Sequence, residues 1–304
     1  MNPSNTAKER LQALAVADYK PELVAIDADA IARLPIRAER FSHLAVGLSG
    51  QPAGRTAAGA AAYSIALNSL NFMFWSPTPQ GISRFHWRGE GGANGLKAAL
   101  DHLWGEEATP VRLRAALGGG SEAALVEALG EISLARRRAQ FLREVLLNDE
   151  LEQAAAELVA AGQAGHLNAD DAERLARRFP LAYGQDPYRM RAQLALMWFA
   201  GYLMESGVEV ECDITVAAGY QMPRVMRSIK VLRFAPELAA RIDGHVLILR
   251  DSPEERAIRA ATVLGTQAMA RHLGVSEHAM VNVLWRNRHA CGATPYHLTV
   301  TTDY

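Results

Sequence analysis

The chain has 304 residues, 49% hydrophobic and 21% charged, with a formal net charge of -1. That composition is ample for a buried core, and it lacks the basic surface on which nonspecific duplex binding depends. A nucleic-acid partner is therefore not expected. No uncharged apolar stretch approaches membrane-spanning length and the first residues carry no apolar run, so the expectation is a cytoplasmic protein with no membrane partner.

In chain order, residues 1–60 alternate short helical patterns with Pro, Gly and Ser breaks, and Gly47 to Gly59 reads as a loop entering a helix. That helix is expected from Ala58 to about Leu70. It delivers Leu70-Asn71-Phe72-Met73-Phe74-Trp75, and Ser76-Pro77-Thr78-Pro79 is expected to end it. Ile82 to Arg88 alternates with period two and predicts a strand or hairpin arm, turned by Gly89-Glu90-Gly91-Gly92.

Leu96 to Leu103 is helical in pattern, and Gly118-Gly119-Gly120 separates further helical segments. Glu122 to Leu147 predicts a helix with the basic cluster Arg136-Arg137-Arg138, read as a solvated face with one inward Arg. Asn148 caps a helix that Gly162 should stop, and Asn168 with Asp171 starts another ending near Phe179-Pro180. Tyr188 to Met204 is a long apolar helix, largely buried.

Asp213 to Val225 matches neither helical nor strand period: apolar and small residues run to Ala218, Gly219-Tyr220 follows, and Pro223 restricts Met222. The reading is an irregular, buried backbone, the kind of place where sites are built. Val225 to Leu238 is then expected as one helix, and His245 to Leu249 as a short strand or extended loop. Ser252-Pro253-Glu254-Glu255 is a strong start signal for a helix to Leu273, closed by Gly274. Ser276 starts one more through Trp285, and Leu298 to Thr302 alternates as a terminal strand would. The fold class is mainly α with a minor β-hairpin.

Chemistry-bearing motifs are few. Cys212 and Cys291 have no metal spacing and read as free thiols, and the nine His residues show no ligand pattern. The glycine runs fit neither a P-loop nor a dinucleotide fingerprint, and no Gly-x-Ser-x-Gly elbow is present. No cofactor is expected.

Ala217-Ala218-Gly219-Tyr220-Gln221-Met222-Pro223-Arg224 is similar to a segment commonly written Phe-Ala-Asp-Tyr-Arg-Val-Pro-Gln in the queuosine salvage family. Leu70 to Trp75 resembles that family's Leu-Asn-Phe-Ser/Cys-Phe-Trp block, and Trp87-Arg88-Gly89 its Tyr-Arg-Gly. Arg191-Ala192-Gln193-Leu194 resembles Arg-Ala-Gln-Ile, and Arg138 is the arginine of its cluster that matches the family, which makes it the inward one. Glu255 to Arg259 resembles Glu-Val-Glu-Ile-Arg, and Asn282 to Trp285 resembles Asp-x-x-Leu-Trp. The blocks keep the family order from about Leu67 onward. Scaffold features match better than polar ones: Met190, Trp198, Gly219, Ala257 and Asn282 each stand where the family commonly has a charge.

The resemblance implies a single helical domain over 1–304, with 1–56 as an N-terminal extension, similar in architecture to helix-hairpin-helix DNA glycosylases. It implies a hydrolase of N-glycosylase type acting on a small nucleoside or nucleotide-like ligand, the family reaction being release of queuine from queuosine 5'-phosphate. Ligand-binding candidates carried by the motifs are Phe72, Trp75, Arg88, Arg191, Gln193, Gly219, Tyr220, Arg259, Asn282 and Trp285. Arg224, where the family usually has Gln, is a candidate anion contact.

Breaking an N-ribosidic bond builds positive charge on the sugar, which a neighbouring carboxylate stabilises. A 7-deazapurine lacks the N7 that accepts a proton on leaving, so electrostatic stabilisation of the sugar matters more. The family carboxylate falls on Gly219, and loss of one such group costs on the order of 100-fold. Asp213 is the candidate substitute acid. The alternatives are an altered small-molecule reaction in specialised metabolism, or a catalytically silent ligand-binding protein.

Overall fold

A computed structural model describes residues 6–34, 56–79, 81–105, 113–115, 129–130 and 132–304. The elements begin with α1 (Ala7–Asp18), β1 (Val24–Ile26), α2 (Ala28–Ala32) and α3 (Ala57–Ser69). Four short strands follow: β2 (Trp75–Thr78), β3 (Gly81–Arg84), β4 (His86–Trp87) and β5 (Glu90–Gly91). Next come α4 (Gly92–Trp104), α5 (Ala135–Leu146), α6 (Glu150–Gln163), β6 (His166–Asn168), α7 (Ala169–Arg178) and α8 (Met190–Glu205). The chain closes with β7 (Glu211–Asp213), α9 (Gln221–Ser228), β8 (Leu232–Phe234), α10 (Pro236–Asp243), α11 (Pro253–Leu273) and α12 (Glu277–Arg286), then a 3₁₀ turn Asn287–Cys291. The protein is mainly α, and among the described residues the strands form two-stranded ladders only.

Side-chain caps set several of these starts. Thr6 and Glu9 form a reciprocal capping box on α1: the Glu9 N–H donates to Thr6 Oγ1 at 3.2 Å, and the Thr6 N–H donates to Glu9 Oε2 at 2.7 Å. Thr56, Ser252 and Ser276 accept from backbone N–H groups at the starts of α3, α11 and α12. Gly274, at φ 65°, ends α11 in the left-handed conformation that glycine adopts without steric cost.

The described residues group into two compact units. One holds the described residues up to 34, with 168–170 and 212–304; the other holds those between 56 and 167, with 171–211. In the first unit α11 is buried on most of its faces, so its sequence carries apolar, small and polar buried residues together rather than a narrow stripe. β1 and β8 pair antiparallel, Ala25 opposite Arg233. Gly265 of α11 lets Met226 of α9 approach, since a Cβ there would lie 2.5 Å from the Met226 Cε.

In the second unit the Ala-rich helix α3 packs against α5, α6 and α8. Its small side chains let the neighbours come close. α8 is buried nearly all round. Gly162 of α6 serves the same close packing, because a Cβ there would lie 2.4 Å from Leu203 Cδ1 of α8.

Several expectations are corrected. Gly162 does not stop α6, which runs to Gln163; Gly165, at φ 90°, makes the turn. Ser76 to Thr78 does not end α3, which closes at Ser69; these residues form β2, paired with β3. The Ile82–Arg88 arm is two hairpins rather than one, divided at Phe85, whose N–H donates to Phe74 O and whose carbonyl accepts from Gly92 N, each at 3.0 Å.

Val225 to Leu238 is not one helix. Lys230 at φ 64° breaks the helical path, β8 pairs with β1, and Pro236 opens α10 in the first-turn position proline favours. The expected terminal strand at Leu298 to Thr302 is absent, although most of its side chains are buried; Leu298 O accepts from Ile248 N at 2.8 Å. Of the helix read over Glu122–Leu147, α5 covers Ala135–Leu146, and Gly130 and Leu134 at positive φ precede it; residues 122–128 and the 118–120 glycine run lie outside the described residues.

Candidate functional site

In the second unit the Leu70–Phe74 segment leaves α3 without regular structure, leads into β2 and is held by one buried cation. Arg138 of α5, fully buried, donates Nη1 to Leu70 O, Nη2 to Phe72 O and, at 3.0 Å, Met73 O, and Nε to Ser133 O at 2.9 Å. Its guanidinium lies 3.9 Å from the centre of the Phe72 ring. A planar five-donor fork is what can satisfy several carbonyls of an irregular segment at once. Met73 takes φ 37° there, a left-handed conformation costly for a side-chain-bearing residue.

Arg191 of α8 lies on the same aromatic group. It donates Nη1 to Ser69 O at 2.6 Å, and its guanidinium sits 5.1 Å from Phe72, 5.0 Å from Phe141 and 5.7 Å from Tyr183. Tyr183 donates its hydroxyl to Ile65 O, and burial pushes its phenol well above the usual range. Phe72 and Arg191 are thus brought together, while Trp75 is buried at the start of β2 with its carbonyl accepting from Ser133 Oγ. Gln193 donates to Tyr188 O at 2.9 Å at the start of α8. Arg88 stands apart, exposed, its guanidinium 4.4 Å from the Trp87 ring.

Of the Asp213–Val225 stretch read as irregular and buried, residues 214–219 in the first unit are buried and outside any helix or strand, whereas Asp213 ends β7 and Gln221–Val225 already belongs to α9. The Gly219 N–H donates to Ala217 O at 3.0 Å, a tight turn around Ala218. Arg259 of α11 donates Nε to Ala218 O at 3.3 Å. Glu255 Oε1 lies 3.9 Å from that Nε, and both side chains are almost wholly buried, at 2% and 3% exposure. The pair is therefore not the solvated helix-surface contact that its i,i+4 spacing suggests. Burial raises the Glu255 pKa against the opposing pull of Arg259 and Tyr304.

Tyr220 follows the turn, half-buried, its ring 4.7 Å from that of Tyr296. Arg288 stacks on Trp285 at 4.1 Å; burial lowers its pKa, while Tyr220 acts to raise it. Arg224 is spent on backbone carbonyls, Thr294 O at 2.6 Å, Gly292 O at 3.2 Å and Arg288 O at 3.3 Å, which fastens the segment after α12. Asn282 Nδ2 meets His278 Nε2 at 3.2 Å, and burial lowers the His278 pKa to about 4.

Asp213 sits elsewhere. Its side chain is 51% exposed and paired with Lys8, which also reaches Glu277 at 3.5 Å. The surface ion pair, rather than the buried turn, is where the structure places this acid. Among the described residues no group of three or more His, Cys, Asp and Glu is placed to hold a metal ion. The open surface depression at Leu134–Arg137 and Gln140 contains none of the predicted site residues.

The sequence model described as queuosine salvage protein matches residues 52–284. The chain belongs to the queuosine salvage protein family. It is also 29% identical, over 271 residues, to a protein of Sphaerobacter thermophilus named queuosine 5'-phosphate N-glycosylase/hydrolase, covering 80% of this chain and 80% of that one. The family match includes the Leu70–Trp75 segment, the start of α8, the Ala217–Gly219 turn and Arg259. No helix among the described residues is long and apolar enough to cross a membrane.

The candidate set omits three residues of the buried group around Arg259. Glu255 was legible as a helix-start residue, as the first position of the Glu255–Arg259 block and as an i,i+4 partner of Arg259, but its burial under Tyr304 was not. His297 and Tyr304 carry no local pattern, because their partner lies on α11, far away in sequence.

Proposed function

We propose that this chain is a hydrolase that cleaves the N-glycosidic bond of a queuosine 5'-phosphate-like nucleotide and releases its 7-deazaguanine base. The observation that carries this reading is the family match over 52–284, supported by the similarity to the Sphaerobacter protein so named. The buried turn at Ala217–Gly219 and the clamped Leu70–Phe74 segment support it further, since both are irregular backbones held in place by buried arginines.

The bond to the base breaks with its electron pair leaving on the base nitrogen; water adds its oxygen to the anomeric carbon, one of its protons staying there as the hydroxyl and the other ending on the base. The sugar cation that develops needs negative potential beside it. Gly219 provides no charge there. A second reading, a ligand-binding protein without turnover, is favoured by one observation: Asp213, the nearby acid in sequence, is an exposed partner of Lys8.

Incubation of queuosine 5'-phosphate with the wild type and with Gly219→Asp, followed by mass spectrometry of free base, separates the two. Release by the wild type supports hydrolysis. Silence from the wild type with release by Gly219→Asp supports the binding protein, and silence from both rejects the substrate class.

A further inference from the structure

Four buried side chains of the first unit form a line that ends on the Ala217–Gly219 turn. His297 Nε2 lies 3.0 Å from the Tyr304 hydroxyl, and that hydroxyl lies 3.0 Å from Glu255 Oε1. Glu255 Oε1 faces Arg259 Nε, which donates to Ala218 O. The Tyr304 ring also lies 4.9 Å from the Arg259 guanidinium, and the other Glu255 oxygen accepts from Asp251 N at 3.3 Å.

With Glu255 ionised opposite Arg259, the donor inventory sets the direction of this line. A tyrosine has one hydroxyl hydrogen, and here it goes to the Glu255 carboxylate, so the hydroxyl oxygen accepts from His297. His297 is therefore the neutral tautomer that carries its proton on Nε2, consistent with burial holding its pKa down at about 3.

An ion pair this deeply buried is a poor way to gain stability, because well-packed apolar residues of the same volume do as well or better. What it does provide is a fixed direction for the Arg259 guanidinium. We infer that Glu255, Tyr304 and His297 are positioning residues that aim Arg259 at the Ala218 carbonyl and so fix the turn that presents Gly219 and Tyr220. The link to catalysis rests on the proposed hydrolysis; the link to the turn does not.

Tyr304→Phe keeps the ring over Arg259 and removes only the hydroxyl. Three readouts follow: hydrogen exchange of the peptide covering 214–221, the tautomer of ¹⁵N-labelled His297 by NMR, and kinetics on queuosine 5'-phosphate. The expected result is about tenfold faster exchange in 214–221 with α11 still protected, and loss of the pure Nε2–H signature. A kcat about tenfold lower with KM held within twofold completes it, as befits a lost hydrogen bond to a charged group. Glu255→Gln gives the same pattern with His297 left on Tyr304. Unchanged exchange in 214–221 in both variants would overturn the inference. A wild type that releases no base overturns the reaction instead, and the exchange result then decides the positioning claim alone.

Discussion

Arg138→Met is the most informative single perturbation of the second unit. The substitution keeps most of the buried volume and removes the cation. The carbonyls of Phe72, Met73 and Ser133 then lose their side-chain donor, whereas Leu70 O still accepts from Phe72 N at 3.1 Å. Three stranded carbonyls at about 1–3 kcal/mol each set a gross loss of roughly 3–9 kcal/mol. Removing a fully buried charge returns several kcal/mol of desolvation, so the net expectation is a loss of about 3–4 kcal/mol. Met73 would also lose the contact that holds its left-handed backbone. Arg138→Lys should fall between, since an ammonium has three donors on a single point.

Urea unfolding followed by tryptophan fluorescence suits the measurement, because Trp75, Trp87, Trp104 and Trp198 all lie in this unit and only Trp285 lies in the other. A loss under about 1 kcal/mol for Arg138→Met would mean that the carbonyls need no such donor, and would refute the reasoning.

Gly95→Ala in α4 should destabilise the second unit by about 2–4 kcal/mol, because a Cβ there would lie 2.4 Å from the backbone carbonyl oxygen of Glu90, which cannot swing aside; an unchanged melting profile would contradict this. Acid should weaken the first unit through two buried histidines, His278 held at about 4 and His297 at about 3 by burial. The unfolded chain binds protons at both below about pH 6.5 while the fold does not, so stability falls with pH by roughly 3 kcal/mol per unit between about 6 and 4. Glu255, raised by burial, takes up a proton more readily when folded and offsets part of that slope as it titrates. Denaturation midpoints of the wild type and His278→Gln across this range check the sign, the variant showing about half the slope. Arg224→Met should loosen the segment from Asn287 to Thr294 at a cost of about 1–3 kcal/mol, seen as faster hydrogen exchange there; unaltered protection would contradict its role as a backbone clamp.

Much of the helical plan was legible because its signals are local. Ser252 and Gly274 bracket α11, and the apolar run of α8 follows from pattern, whereas the inward Arg138 followed from the family resemblance. The errors share a cause in long-range partners. β8 forms because β1 pairs with it, and Gly162 stays helical because Leu203 needs the space, neither of which a local window contains. The buried turn at Ala217–Gly219 was readable as an irregular apolar segment. Its support was not, since Arg259 looks like half of a surface pair until Tyr304 and His297 cover it. Arg224 illustrates the reverse: a cation that reads as an anion contact in sequence is occupied by three carbonyls from residues 288–294.

The central claim, N-glycosidic hydrolysis, is tested most directly by running the reaction with queuosine 5'-phosphate in H₂¹⁸O and weighing both products. The expected products are unlabelled queuine and ribose 5-phosphate carrying one ¹⁸O at the anomeric carbon. Intact substrate after prolonged incubation, with the Sphaerobacter relative active under the same conditions, would contradict the claim.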